Sequence, residues 1–435
     1  MIDIYGVLGE MSSAKYSDVR LVRQEVVEVA FRGDSADVFK NKSERVVCRA
    51  ASKGYGVASA NLQDANSLKE LAKLALKQAE ICDAKIELLP LKAEKGEKSF
   101  PVKKEFEVDK AIEFLKNIRD EVKYSLGNFY SRTEIVASYS FTDYHFVSSE
   151  GADIVERYPL VDVFLYVVAR GLSEGFASKG IGGRGGFEIV EAPNWYEIVE
   201  DLTTRAVEST QAGVLSKGAA TKFNIVLDNE GAGALAHEIA HMLEADIYQQ
   251  RNFHKLGLSE PLGLVDNPSL ENGYGSFNWD DEGVRGRPKI LLSERGLRLL
   301  HTRLTARGED EPGNAHGVFH MPRPLMSNVY IQPRDWRVEE IFEETRFGIY
   351  ARGVVRAESN VSSGRIEISP EMGYLVERGV AKQPIKNIRI TGEIKKIISG
   401  IDAVGKDFRL RPNIEKGFPI SEGGPHIRIL NIHCI

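Results

Sequence analysis

The chain is poor in cysteine and carries little excess charge of either sign. Its three cysteines, Cys48, Cys82 and Cys434, are too few and too scattered for a disulfide framework or a cysteine-rich zinc module. A net charge of −6 over 435 residues offers no basic field to a polyanion, so no nucleic-acid partner is expected. The start, Met1-Ile2-Asp3-Ile4-Tyr5-Gly6, lacks the basic region and apolar core of a signal peptide. The most apolar stretch, Val161–Ala169, contains Asp162 and is far too short to span a bilayer. No membrane partner is therefore expected, and a cytoplasmic location follows. What the chain does have is 42% hydrophobic and 28% charged residues, enough for two or three globular domains.

Periodicity predicts an N-terminal half that mixes strands with long helices. Asp18–Arg32, rich in valine and partly alternating, reads as a strand or hairpin, and Gly54–Ala58 as a strand edge. Ser67 and Glu70 form a capping box for a helix over Ser67–Cys82. Further helices are predicted over Asp109–Tyr124 and Asn194–Thr210. Strands are predicted at Glu134–Ser140, Tyr144–Ser148 and Val161–Ala169, with Ser149-Glu150-Gly151 as a turn. Lys92–Lys104, with five lysines and Pro101, reads as a linker or exposed connection.

From Phe223 the character changes. Phe223–Leu227 is a strand, Asp228 or Asn229 caps a helix, and Gly231, Ala232, Gly233 and Ala234 form its first turn. Beyond it come short apolar runs separated by Gly, Pro and Asn-Gly: Lys289–Leu292, Val329–Gln332, Gly348–Tyr350, Arg365–Ile368, Gly373–Val376, Ile388–Ile390 and Ile427–Leu430. Val338–Thr345 is a short helix among them. The expected class is α+β. An N-terminal region over 1–215 (subregions about 1–95 and 105–215) precedes a β-rich C-terminal domain over 216–435, which carries this capped helix.

That helix holds His237-Glu238-Ile239-Ala240-His241, an H-E-x-x-H sequence. Residues four apart return to within about 40° of the same helical face, so two imidazoles can hold one metal ion. Glu238 can then serve as general base on a metal-activated water. The competing reading is a pair of satisfied histidines on a half-buried helix. The small neighbours favour the site, since they let substrate or another backbone approach. Zinc commonly needs a third protein ligand, and the motif supplies none; Glu244 is the nearest carboxylate on a similar face, whereas Asp246 lies on another.

Other candidates are weaker. Gly180–Gly185 fits G-x-G-x-x-G formally but neither directly follows a strand nor opens a helix, so a glycine turn is the better reading. Asp280, Asp281 and Glu282 lack EF-hand spacing and read as a solvated turn. His316 and His320 are four apart, but Pro322 and Pro324 oppose a helix there. Cys434 reads as a buried or frayed tail cysteine.

In order along the chain, SDVRL at Ser17–Leu21, GYGVASAN at Gly54–Asn61, GGRGGFE at Gly182–Glu188, GALAHEIAHMLEAD at Gly233–Asp246, YGSFNWDDEG at Tyr274–Gly283, HMPRPLMSNVY at His320–Tyr330 and GGPHIR at Gly423–Arg428 resemble the TldD/PmbA family. The family, once described as gyrase modulators, is regarded as one of zinc metalloproteases. The resemblance spans nearly the whole length. It implies Zn²⁺ held by His237 and His241, with Glu238 catalytic, and the histidine motif is that of the TldD branch. It also implies cleavage of peptides or unfolded chains, and a homodimer or a heterodimer with a PmbA-like sister protein.

Two departures are visible. The family motif is H-E-x-x-x-H, one residue longer; the spacing here suits a regular helix. The family also supplies a cysteine ligand before its V-P-V-x-V-G-Q-P stretch. The matching region here, Asp407–Asn413 leading to Phe418-Pro419-Ile420, is shortened and has no cysteine. Glu244, His426, His433 and Cys434 are the candidate substitutes. The expected function is a zinc-dependent metallopeptidase, and the alternative is a non-hydrolytic peptide-binding or partner subunit with an incomplete site.

Overall fold

A computed structural model describes residues 2–62, 65–82, 84, 86–215, 221–251 and 262–435. Its first half is organised by a seven-stranded sheet of β1 (Tyr16–Phe31), β2 (Ala36–Ala51), β3 (Tyr55–Asn61), β4 (Lys95–Ser99), β5 (Tyr130–Ser148), β6 (Asp153–Arg170) and β7 (Glu174–Gly183). The order is β3-β2-β1-β5-β6, with β4 and β7 both paired to β6. Successive side chains of a strand point to opposite faces, which sorts the sheet into two surfaces.

One surface is apolar and covered by helices. α1 (Ile4–Gly9) and α2 (Ala65–Ile81) pack on Val19, Leu21, Val46 and Cys48. α3 (Val108–Leu126), the single-turn α4 (Glu188–Glu191) and α5 (Trp195–Thr210) pack on Val29, Phe31, Ile135, Val161, Val163 and Leu165. The α3 stripe, Ala111, Leu115, Ile118 and Val122, recurs at helical spacing, so its burial follows from its pattern. The opposite surface carries Gln24, Ser138, Ser140, Thr142 and Asp162 and faces a cavity shared with the second half of the chain.

The second half contains a six-stranded and a ten-stranded sheet with α6 (Asn229–His241) between them. Asp228 caps α6 by accepting from the Gly231 N–H at 2.8 Å, and its other oxygen accepts from Gly353. Every residue from Glu230 to Ala240 is buried. The helix lies against strand Phe418–Gly424 so closely that a Cβ on Gly233 would sit 2.8 Å from the Gly423 backbone. The small first turn therefore admits another backbone, one of the two approaches expected of it. A buried ionic seam joins the halves: Asp18 pairs with Arg20 and Arg49, and both guanidinium groups donate to the Asp281 carbonyl.

The α+β class holds, and several boundaries move. Asp18–Arg32 is one strand, not a hairpin. Glu134–Ser140 and Tyr144–Ser148 fuse into β5, because Thr142 between them continues the alternation toward the cavity. β2 was not anticipated, since its polar first half (FKNKSER) hides a two-residue period. Lys92–Lys104 is more than a linker, as β4 pairs parallel to β6 within it. α2 starts at Ala65, which puts Ser67 inside the first turn rather than at the cap. Gly180–Gly183 belongs to β7, so the glycine run is largely strand rather than turn. The boundary expected at 215/216 falls at residues outside the described set. Among the described residues no helix is long and apolar enough to cross a membrane.

The helix–strand approach yields the first test. Gly233→Ala is expected to lower unfolding free energy by about 1–3 kcal/mol in urea titrations, through overpacking. Gly9→Ala, at the exposed end of α1 with open space around it, is expected to be neutral or stabilising by up to about 1 kcal/mol.

Candidate metal centre

His237 and His241 lie on one face of α6, with ring centroids 4.7 Å apart and Nε2 atoms 2.9 Å apart. Their outer nitrogens are each fixed by a carboxylate. His237 Nδ1 lies 2.6 Å from Glu422 Oε2, and His241 Nδ1 lies 2.6 Å from Glu244 Oε1. With both Nδ1 atoms occupied, both Nε2 atoms are turned toward one point, the usual way in which a carboxylate fixes the tautomer and aim of a ligating histidine. Glu415 faces the same point, its two oxygens each 3.5 Å from one Nε2. Among the described residues, His237, His241 and Glu415 are the group whose donor atoms all lie within 4.8 Å of one another.

Glu415 is the residue that reading the sequence missed. It ends strand Arg409–Glu415, which pairs with Phe418–Gly424 through a tight turn at Lys416 and Gly417, both at positive φ (51° and 83°). Alternation puts Arg411, Asn413 and Glu415 on one side of that strand. Arg411 and Asn413 both donate to Glu422 there, at 2.7 and 3.2 Å. The polar two-residue period R-x-N-x-E was the available signal.

The electrostatics suit a divalent cation. Seven carboxylates (Asp162, Glu230, Glu238, Glu358, Glu371, Glu415 and Glu422) line the cavity against four cations (Lys179, Arg356, Arg411 and Lys416), and Glu244 lies behind His241. Burial pushes the Glu422 carboxyl up, but Arg411 and His237 outweigh it and hold it well below the usual carboxylate range. Burial likewise pulls His237 down, yet its hydrogen bonds to Glu415 and Glu422 raise it to about 10. The hydrogen bond from His237 holds Glu415 below its ordinary value. Two imidazoles and a carboxylate with a further carboxylate beside them match the donor chemistry of a catalytic zinc site, so the residues present fit the metal.

Glu238 lies in the same cavity wall, 6% exposed, and among the described residues no hydrogen-bond donor engages its carboxylate. The cavity, about 1080 Å³, is bounded by β6 and β7 on one side and by α6 and strand Arg409–Glu415 on the other. The Arg356–Asn360 strand also lines it; it ends its sheet, and among the described residues only Arg365–Ser369 pairs with it.

The remaining candidates lie elsewhere. Glu244 orients His241 instead of joining the three donors. His426 sits between Asp407 and the Tyr350 hydroxyl, at 2.6 and 3.0 Å. His433 and Cys434 are in a strand ladder, Cys434 buried. Asp246 pairs with Arg323. His316 is buried between Phe277 and Phe418, while His320 is exposed and bonded to the Met321 carbonyl. Asp280, Asp281 and Glu282 do not form a solvated turn: Asp280 and Glu282 are buried, and all three carboxylates accept from backbone N–H groups.

Residues 220–435 match the PmbA/TldA metallopeptidase C-terminal domain, and residues 102–210 its central domain. A protein named metalloprotease from Methanothermobacter thermautotrophicus is 33% identical over 302 residues, 66% of each chain. A metalloprotease of Methanocaldococcus jannaschii is 29% identical over 445 residues, covering 95% of this chain and 96% of that one. A zinc metalloprotease TldD homolog of Saccharolobus solfataricus is 29% identical over 251 residues, 54% of this chain and 55% of that one. Among solved structures, TldE from Thermococcus kodakarensis superposes with a TM-score of 0.78 at 18% identity, covering 99% of both chains, which shows the same fold. The chain belongs to the PmbA/TldD metallopeptidase family.

Proposed function

We propose that this protein is a zinc-dependent metallopeptidase of the TldD-like branch, hydrolysing peptides or unfolded polypeptides. The observation that carries the reading is the convergence of His237 Nε2, His241 Nε2 and the Glu415 carboxylate on one point, with Glu238 in the same cavity. These three residues would hold the metal. Bound zinc supplies a Lewis acid for the scissile carbonyl and for the attacking water. Glu238, buried and with no hydrogen-bond donor on its carboxylate among the described residues, takes the water's proton and delivers it to the leaving amine. Glu422 and Glu244 hold the imidazole tautomers, and Arg411 keeps Glu422 ionised. The outer edge of strand Arg356–Asn360 accepts an extended substrate by main-chain pairing, which tolerates varied sequence.

The missing cysteine was the main support for a non-hydrolytic partner subunit. A carboxylate beside the histidine pair removes that support. The zinc name of the Saccharolobus solfataricus relative supports the choice of metal. The likeness to TldE agrees with a sister protein as partner, giving a heterodimer beside the homodimer alternative. We read the chain as an N-terminal unit over 1–215 and a β-rich metalloprotease domain over 216–435, acting in the cytoplasm.

Metal analysis after zinc reconstitution is expected to find about one zinc per chain in the wild type and little in His237→Ala or His241→Ala. Absence of stoichiometric metal in the wild type sinks the reading. Glu238→Gln is expected to keep its zinc and lose unfolded-peptide cleavage by about 10²–10⁴-fold. Glu422→Gln removes an orienting carboxylate charge, and competition with a chelator is expected to show zinc affinity falling about 10–100-fold.

A further inference from the structure

Asp162, which interrupts the most apolar strand of the chain, is not used by the chemistry above. It projects from the polar face of β6 into the wall between two cavities. One is the cavity of the histidine motif; the other, about 780 Å³, lies between the polar face of the N-terminal sheet and the second half of the chain. Asp162, Tyr274, Ile414 and Lys416 line both, so a polypeptide passing from one to the other passes Asp162.

Among the described residues the carboxylate there has one neutral partner and no cation. The Tyr274 hydroxyl donates to Oδ1 at 2.8 Å, and among the described residues Oδ2 has no partner. The nearby cations make their contacts elsewhere, although Arg184 Nη1 is buried without a hydrogen-bond partner among the described residues. Arg184 stacks on Tyr158 at 4.4 Å and donates to the Ser276 carbonyl, and Lys416 lies 3.3 Å from Glu244. A second carboxylate lies in the same cross-strand row, since Glu28 pairs with Ser138 and Ser138 with Asp162. Arg32 approaches Glu28 only to 3.8 Å. On the other flank Asp162 pairs with Gly182, where even a Cβ would come within 2.6 Å of the Asp162 Cβ. The glycine run set aside as a dinucleotide motif thus leaves the side of Asp162 uncovered.

A partly buried carboxylate without a counter-charge is costly unless something pairs with it. We propose that Asp162 is an anionic subsite that takes the ammonium or guanidinium group of a lysine or arginine side chain in the bound polypeptide. The ligand class is an extended chain with a basic residue at one fixed position from the histidine motif. The inference rests on the peptidase reading of the cavity.

The test uses full-length zinc-loaded protein and N-acetylated, C-amidated fluorescent decapeptides differing at one position, scanned along the chain, as lysine, norleucine or glutamate. Capping both ends leaves the side chain as the variable cation. Binding is read by anisotropy in Glu238→Gln and cleavage in the otherwise native enzyme. At one position lysine is expected to bind about tenfold to a hundredfold more tightly than norleucine, the range of a charge-assisted hydrogen bond. Adding Asp162→Asn, which keeps the shape and the Tyr274 contact, is expected to bring that ratio to about one with zinc content maintained. Asp162→Glu is expected to retain part of it. A ratio of one at every position, a lysine preference that survives Asp162→Asn, or no binding of any peptide overturns the subsite. Failure of the peptidase reading would appear differently, as lysine-selective binding without cleavage by zinc-loaded enzyme.

Discussion

The site depends on how closely α6 lies against strand Phe418–Gly424. Two glycines, Gly233 and Gly423, meet where any side chain on the helix would touch backbone. That contact sets the depth of the helix, and the depth brings Glu422, one residue before Gly423, within 2.6 Å of His237. Glu422 then ties the helix to the neighbouring strand through Arg411 and Asn413. The strand ends on Glu415. A single packing distance therefore propagates through one buried carboxylate to the third donor. Little slack remains, because Glu422 is buried and bonded at once to His237, Arg411 and Asn413.

The sequence revealed what is local and periodic. α3 and α5 were legible because their apolar stripes follow the helical period, and α6 because its cap and its histidine spacing are written within a few residues. Half of β2 was not legible, since its alternation is among polar residues that face solvent rather than a core. Of the site, His237, Glu238 and His241 stand within five residues. Glu415 and Glu422 come from the other end of the domain, joined to the helix only by the fold. Their pairing is a matter of hairpin register, Arg411 opposite Glu422, which a one-residue slip would reverse. Glu244, one of four candidate third ligands, has its carboxylate at His241 Nδ1, three residues before it, rather than at the point the two Nε2 atoms share.

The N-terminal sheet contributes to the site by the same logic of faces. Its apolar surface is spent on helices, and its other surface, with serines, threonine, glutamine and Asp162, becomes cavity wall. One alternation thus makes both a core and one side of the cleft, while the buried Asp18–Arg20–Arg49 seam holds that wall against the second half.

The carboxylate of Glu415 has a chemical consequence beyond charge. A donor set of nitrogen and oxygen contains no sulfur to oxidise. Burial pushes the thiols of Cys48 and Cys434 up to about 12, far from the thiolate form that oxidants attack, and Cys82 is exposed on the surface at the end of α2. Where a thiolate ligand would tie such a centre to the redox poise of its surroundings, a metal held as proposed by His237, His241 and Glu415 would have no ligand that oxidants attack.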